Sequence, residues 1–537
     1  MRSGAGERIR TVDNHVGNVM LYQLSYTRDR KCVSMRIAHF IASCIFFKNP
    51  FLQSALFYNL SFWFEKSYGL NSALCRNFIC YAQTLFLKMK HIHPVSGPLP
   101  GYTPGRAAKF YIPLVIQAAS QSLTYPLVAS IVSHGANGAI DLAAFAQGQQ
   151  MMFLLGAIGS GLLTTGMVFG HDASGFRVFK QLNLYMCLTL VILQLLLSGI
   201  PAAGKFIFHG ILGLDHLMTE TARNVMFWST PAQICFFFRN AGLVPLYNAR
   251  ASAPANNATL CRIGLTACLS PLFVHAGWTG PFMGIVAMTG PVLLELLLTL
   301  WFARPYVKQL AASGEPHAGL RTQFMFTMPL SFGGILLSSA GIMVGAFIAR
   351  AAAPAQMLPI HYVAMGIVNP VGLAALRMQA VTLAFPPKIK QDSSVFKFAL
   401  ASGVVLALFP LVGQIPCAAQ WYFGKIQNLP AADIPLASQA MLLISILPVI
   451  QSLRGHAEGL AAWRRRPNAI LAGQAINLAA LVCTLFILLN FGLPGYLIGV
   501  IAILVATTMT LITIRLGLFW AEMEEKFGRT PAPREQN

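Results

Sequence analysis

The amino-acid sequence predicts an all-α, polytopic membrane protein with about twelve transmembrane helices in two parallel six-helix repeats. Three observations predict this fold class. The 537 residues are 55% hydrophobic and only 10% charged, whereas an ordinary soluble domain is about 25% charged. Apolar runs of membrane-spanning length follow one another with short connections. Short motifs also recur in the same order at a nearly constant offset.

The apolar runs begin near Lys109, and their bounds give the bounds of the predicted transmembrane helices. A helix needs roughly 20 predominantly apolar residues to cross the hydrocarbon core of a bilayer. Runs that meet this requirement are predicted at 110–132, 143–169, 180–200, 223–248, 258–275, 279–303, 323–349, 358–385, 396–414, 435–462, 468–490 and 494–519. The membrane part of the chain is therefore expected to end shortly after Trp520.

The first 88 residues do not fit this pattern. The stretch Gly6–Arg28 has no hydrophobic period, and its basic residues continue where a signal peptide would become apolar. It resembles a translation of the complementary strand of a transfer-RNA gene. We therefore expect 1–88 to be a non-functional extension and translation to start near Met89. The remainder is expected to form an N-terminal half at 89–310 and a C-terminal half at 311–537.

The internal repeat is visible in four pairs of motifs. FYIPL at Phe110–Leu114 matches FTMPL at Phe326–Leu330, and GWTGPFMG matches GLPGYLIG later in each half. The motif VFK recurs, and two matched helices share a proline and a glycine; these pairs are Val178–Lys180 with Val395–Lys397, Pro231 with Pro448 and Gly242 with Gly459. An even number of helices in each half makes the repeats parallel, with the substrate site expected between them.

The net charge of +21 is explained by topology. Alternate connections carry most of the basic residues, namely Arg177, Lys180, Arg250, Arg304, Lys308, Arg321, Lys388, Lys390, Lys397 and Arg464–Arg466. The opposite connections carry only Lys205, Arg350 and Lys425. By the positive-inside rule, we expect a protein of the inner (plasma) membrane with both termini cytoplasmic. We do not expect nucleic acid as a partner.

Arginines within the predicted helices are the first candidates for a substrate site. A charge in a bilayer costs at least a few kcal/mol, so such residues usually face a bundle interior or a watery cavity. Arg454 lies about ten residues from Arg464, hence roughly 15 Å into the bilayer. Arg239 has a comparable depth on the matched helix. We predict that Arg239 and Arg454 line one cavity between the halves.

Three further residues complete the candidate set. Arg377 lies deep in the predicted eighth helix, where the Asn369–Pro370 step is expected to break the helix and expose carbonyls. Glu458 follows Arg454 by four residues and is either its ion-pair partner or a site residue. His456 is either hydrogen-bonded structure or a proton carrier. The candidate substrate-binding residues are therefore Arg239, Arg377, Arg454, His456 and Glu458.

The sequence lacks several motifs that are typical of enzymes and ATP-driven pumps. It contains no GxxxxGKS/T phosphate loop, no GxSxG nucleophile elbow and no HExxH zinc motif. These findings argue against an ATP-driven pump or a membrane hydrolase, and no catalytic residue, metal or cofactor is expected. The energy for transport would then come from an ion or substrate gradient.

The segment Pro448–Arg466, PVIQSLRGHAEGLAAWRRR, followed by GLPGYLIGV at Gly492–Val500, resembles the progressive ankylosis protein family. The twelve-helix arrangement resembles the wider multidrug/oligosaccharidyl-lipid/polysaccharide exporter superfamily, which includes the MATE transporters. The resemblance implies an exporter of small anions that works by alternating access, is embedded in membrane lipids and acts as a monomer. Two alternatives stay open: a cation-coupled multidrug antiporter, which predicts acids in the cavity, and a flippase for a lipid-linked precursor.

Overall fold

The computed structural model describes residues 101–526, apart from positions 123, 213, 311–317, 388–392 and 428. The expected extension at 1–88, Met89, Lys388, Lys390 and the tail at 527–537 lie outside the described residues. All of the structure presented below lies within one compact unit, Ile92–Asn537.

Twelve long helical segments, numbered α1 to α12, follow one another in the described residues, with short helices at Pro201–Lys205 and Pro416–Ala419. The first six are α1 (Pro104–Gln121 and Thr124–Ser133), α2 (Ala139–Gly156 and Leu162–Phe169), α3 (Ala173–Gly199), α4 (His216–Trp228 and Thr230–Asn248), α5 (Ser252–His275) and α6 (Pro281–Lys308). The second six are α7 (Leu320–Ile348), α8 (Pro354–Leu376 and Met378–Ala384), α9 (Ser394–Leu411), α10 (Ile434–Ile444 and Leu447–Trp463), α11 (Pro467–Asn490) and α12 (Gly495–Lys526).

Eleven of these segments are long and apolar enough to cross a membrane. The exception is α4, which covers the predicted span at 223–248 but is more polar, because it carries Glu220, Arg223 and Arg239. It packs closely against α6 and α2 within the first six helices. The prediction of an all-α, polytopic membrane fold is therefore confirmed.

The sequence repeat is also a repeat of backbone conformation. Ile200 and Ile415, which lie 215 residues apart, both have φ of −80° and ψ of 114° and 115°. Each leads through a short helix beginning at a proline into a π-helical turn, Phe206–Ile211 in one half and Gln420–Ile426 in the other. Positive φ angles recur at the same offset of 215, in the pairs Gly138 and Ala353, Arg250 and Arg465, and Gly277 and Gly492.

The matched prolines have two structural roles. In α4 and α10, the second of the two helices begins just after the break, and its second residue is a proline. These prolines are Pro231 in α4 and Pro448 in α10. This position suits proline, because an amide N–H there has no partner within the helix. Pro113 and Pro329 instead lie inside helices, where neighbouring helices can satisfy the carbonyl that a proline frees.

The break in α8 does not occur where the sequence indicated. The helix Pro354–Leu376 runs through Asn369 and Pro370 without interruption, and the break falls at Arg377. The expected break at Asn369–Pro370 is therefore wrong. In apolar surroundings, a break in the helix would leave several backbone N–H and C=O groups without hydrogen bonds. A proline within a continuous helix leaves only one carbonyl without its partner.

Two glycines on α10 allow close packing against this break. A Cβ atom at Gly455 would lie 2.7 Å from the Leu376 carbonyl oxygen, and one at Gly459 would lie 2.8 Å from the Gln379 carbonyl oxygen. Real side chains do not tolerate such distances, so only glycine permits the contact. Small residues at helix interfaces are a common device in membrane proteins, because they let backbones approach each other. The position of Arg377 is therefore fixed in part by α10.

Candidate functional site

A cavity of about 420 Å³ lies between the two halves. Helices α1, α2 and α4 of the first half form one wall, and α8 of the second half forms the other. The residues around it are Ala118, Gln121, Ser122, Leu163, Thr164, Met167, Tyr247, Leu373, Leu376, Arg377, Gln379, Ala380 and Leu383. The cavity is therefore at the interface where parallel-repeat transporters commonly bind substrate.

Arg377 provides the charge of this cavity. It is half-buried at the break in α8, and its guanidinium forms no ion pair or hydrogen bond with any residue in the described part of the chain. The residues around the cavity include no aspartate or glutamate. The site therefore presents an uncompensated guanidinium to whatever enters it.

Neutral polar side chains also border the cavity. Gln121 and Ser122 come from the break in α1, and Gln379 from the short helix that follows Arg377. Gln379 Nε2 donates to Thr164 Oγ1 at 3.4 Å, which is a long hydrogen bond between the two halves. A guanidinium with neutral donors around it has the chemistry to bind a carboxylate or a phosphate, because its planar fork can form two parallel hydrogen bonds.

Tyr247 connects the cavity to a buried carboxylate through a directional chain of hydrogen bonds. Its hydroxyl donates to Gln117 Oε1 at 2.9 Å, and Gln117 Nε2 donates to Thr259 Oγ1 at 2.9 Å. Thr259 Oγ1 in turn donates to Glu295 Oε1 at 2.5 Å. A carboxylate only accepts, so Glu295 fixes the direction of every bond in the chain.

Glu295 is the acceptor for two arginines. Arg239 Nη1 donates to Oε1 at 3.0 Å and Arg262 Nη1 donates to Oε2 at 3.0 Å. The glutamate is only 1% exposed, and Arg262 also donates to Thr124 Oγ1 at 3.3 Å. A buried cation, Arg262, and a half-buried cation, Arg239, therefore share one anion. Arg262 was not among the predicted residues, although it also lies within a predicted span, at 258–275.

Arg454 forms a separate pair in the second half. It is 1% exposed, and its Nε donates to Glu458 Oε1 at 2.8 Å. Gln474 Nε2 donates to the same carboxylate oxygen at 3.0 Å. Neither Arg454 nor Arg239 is among the residues around this cavity, so their expected convergence on one cavity stays a prediction. Each arginine instead has a carboxylate within its own half.

His456 also lies away from the cavity. Its Nδ1 accepts a hydrogen bond from Arg515 Nη2 at 3.0 Å, since an arginine can only donate. The ring of Phe396 packs edge-on against the histidine, with centroids 5.7 Å apart. Of the five predicted site residues, the structure places only Arg377 around the cavity. Among the described residues, no group of three or more His, Cys, Asp or Glu side chains could hold a metal ion.

These features define a class: a helical membrane protein with a cavity between two six-helix halves. No protein-family model matches the chain, and no curated protein matches it. Solved structures do resemble it, at sequence identities that show the fold alone.

Three of these structures illustrate the likeness. A eukaryotic MATE transporter has 17% identity and a TM-score of 0.59, covering 79% of this chain and 98% of its own. An outward-facing multidrug resistance MATE family transporter of the MOP superfamily has 16% identity and a TM-score of 0.61, with coverages of 80% and 98%. A MOP superfamily transporter from Pyrococcus furiosus, whose binding pocket has reverse polarity that suggests a different function, has 16% identity, a TM-score of 0.60 and coverages of 81% and 98%. The chain has the MATE transporter fold.

Proposed function

We propose that this protein is a secondary transporter that moves a small anionic substrate across the membrane by alternating access between its two halves. The observation that carries the proposal is Arg377, an unpaired guanidinium beside a cavity between the halves. An uncompensated charge in such surroundings is unfavourable by several kcal/mol. A carboxylate or phosphate that enters the cavity would supply the missing charge and accept two hydrogen bonds.

A cation-coupled multidrug antiporter is the second candidate, because a multidrug resistance transporter shares the fold. This function would need a carboxylate that is free to attract a cation. Glu295 is engaged by two arginines, and Glu458 by Arg454 and Gln474. The transporter from Pyrococcus furiosus, whose pocket has reverse polarity, supports the view that this fold does not dictate the polarity of the binding pocket.

The resemblance to the progressive ankylosis protein family also favours an anion, because that family is associated with export of pyrophosphate, nucleotide or citrate. A flippase for a lipid-linked phosphate would use the same guanidinium and stays as an alternative. From the distribution of basic residues between the connections, we further propose an inner-membrane protein with cytoplasmic termini. We expect it to act as a monomer.

Transport assays in proteoliposomes test the proposal. Uptake of radiolabelled phosphate, pyrophosphate, citrate and succinate would be measured for the unmodified protein, Arg377→Ala, Arg377→Lys and the surface control Arg321→Ala, with ethidium as the cation. We expect transport of at least one anion, a loss of about tenfold or more in Arg377→Ala, and partial recovery in Arg377→Lys because the fork geometry is missing. Arg321 is exposed, so its replacement should have no effect.

Ethidium transport that is independent of Arg377, together with no transport of any of the four anions, would replace the anion proposal by the antiporter. Movement of a fluorescent lipid-linked phosphate across the bilayer, lost in Arg377→Ala, would instead favour the flippase.

A further inference from the structure

Two clusters join the halves at the end of the molecule where the α2–α3, α4–α5, α8–α9 and α10–α11 connections lie, which we call the basic face. In the first cluster, the guanidinium of Arg250 lies over the ring of Phe385, 4.1 Å from its centroid. Arg250 Nε also donates to the Ala384 carbonyl oxygen at 2.8 Å. The ring of Phe110 packs edge-on against Phe385, with centroids 6.2 Å apart. Arg250 and Phe110 of the first half therefore hold a phenylalanine of the second.

The second cluster is the reciprocal of the first. The guanidinium of Arg465 lies over the ring of Phe169, 5.1 Å from its centroid. The ring of Phe326 packs edge-on against Phe169 with a centroid distance of 5.1 Å. Here an arginine and a phenylalanine of the second half hold a phenylalanine of the first.

The members of the two clusters correspond through the internal repeat. Arg250 and Arg465 lie 215 residues apart, while Phe110 and Phe326, and Phe169 and Phe385, lie 216 apart. Phe110 and Phe326 are also the first residues of the repeated FYIPL and FTMPL motifs. The two clusters are therefore one arrangement used twice, and they meet across the interface between the halves.

The backbone of both arginines indicates that their side chains have a function. Arg250 has φ of 57° and Arg465 has φ of 55°, and each follows the last turn of a helix. The next residue closes that turn, with the Ala251 amide donating to the Leu246 carbonyl at 2.8 Å and the Arg466 amide to the Ala461 carbonyl at 2.8 Å. Glycine is the residue that this left-handed position favours. An arginine kept in a strained conformation at both sites points to a role for the side chain.

We propose that these two clusters are latches that hold the basic face closed, and that both must open before the cavity can face that side. The inference rests on the proposed alternating access. The short helix Met378–Ala384 joins Arg377, beside the cavity, to Ala384 and Phe385 in the first latch. A bound anion therefore lies about two helical turns from the latch that must release.

Distance measurements by electron paramagnetic resonance test this directly. Spin labels would be placed at Lys180→Cys and Lys397→Cys, two exposed positions near the basic face, one in each half, after replacement of the ten native cysteines. The variants are Arg250→Gly, Arg465→Gly and their combination. Glycine suits the left-handed backbone at these sites, so we expect the variants to fold and retain their unfolding temperature.

We expect Arg465→Gly to raise the ratio of separated to closed basic faces by about fivefold, which is the scale of one cation–π contact. The double variant should raise this ratio by roughly 25-fold or more. The effect of Arg250→Gly should be the larger, because Arg250 also forms the hydrogen bond to Ala384. Ala353→Gly is the matched control, since Ala353 has φ of 50° and its place before α8 puts it at the other end of the molecule. This control should leave the distances unchanged.

An unchanged distance distribution in the folded double variant would overturn the inference. A change of equal size in Ala353→Gly would also overturn it, because the effect would then come from the backbone. The measurement needs no substrate, so its outcome is separate from that of the anion transport assay.

Discussion

Glu295 Oε2 lies 3.0 Å from Arg262 Nη1, and this pair joins α5 to α6 inside the first half. The other carboxylate oxygen of Glu295 is paired with Arg239, which lies on α4. A single glutamate therefore ties three helices together, and it does so next to the chain of hydrogen bonds that begins at Tyr247 in the cavity.

Glu295→Ala should be strongly destabilising, because it leaves two arginines in the interior without a counter-charge. Removal of one partner of a buried pair costs about 3–5 kcal/mol. Arg239→Ala should cost less, since Glu295 keeps Arg262 and the Arg239 side chain is 17% exposed. Thermal unfolding in detergent measures both changes. Equal effects of the two substitutions would contradict the assignment of Glu295 as the centre of the cluster.

Arg454→Ala should lower stability more than it alters anion selectivity, because Arg454 is paired with Glu458 and does not border the cavity. The loss expected for breaking the pair is again about 3–5 kcal/mol. Arg454→Met combined with Glu458→Met should recover much of it, since apolar replacement of both partners is often nearly neutral. A double-mutant cycle of unfolding free energies gives the coupling. A change in relative uptake of different anions in folded Arg454→Ala would instead place Arg454 in the substrate path.

Tyr247→Phe should weaken anion transport as well as stability. The substitution leaves Gln117 Oε1 without its donor, which costs about 1–3 kcal/mol when the group is buried. Tyr111→Phe is the matched control, because the Tyr111 hydroxyl also forms a buried bond, to the Ala374 carbonyl at 3.1 Å, but Tyr111 does not border the cavity. Initial rates of uptake at several anion concentrations separate the two cases. We expect the apparent KM to rise only in Tyr247→Phe; an equal rise in both variants would make Tyr247 a packing residue.

Gly455→Ala should displace the break in α8 and with it Arg377. The added Cβ atom would lie 2.7 Å from the Leu376 carbonyl oxygen, so the helices must separate, at a cost of about 1–3 kcal/mol. Gly341→Ala is the control, since a Cβ atom there meets nothing within 4 Å. That change should be neutral or stabilising by up to about 1 kcal/mol through helix propensity. Uptake of the transported anion should fall in Gly455→Ala alone, and normal uptake there would show that α10 does not position Arg377.

Several features followed from the sequence because their physical causes are local. The length and apolar character of each run predicted the helices, and the polar fourth run was still helical. Glu458 follows Arg454 by four residues, which places the two side chains next to each other on a helix. This spacing alone indicated the ion pair, which was one of the two interpretations of Glu458. The repeat of FYIPL as FTMPL predicted that the two halves have the same structure, and Ile200 and Ile415 do have matching backbone angles.

Other features depend on contacts between residues far apart in the chain, and only the tertiary structure decided them. Arg239 and Arg377 look alike in the sequence, because each is an arginine deep within a predicted membrane helix. Helix packing brings Glu295, 56 residues away, to Arg239, and leaves Arg377 unpaired beside the cavity. The same packing lays Arg250 over Phe385 in the other half. The sequence determined the helices and their repeat through local hydrophobicity and spacing, whereas the folded bundle decided which charges are neutralised, because an ion pair requires a distance of a few ångströms that sequence separation does not specify.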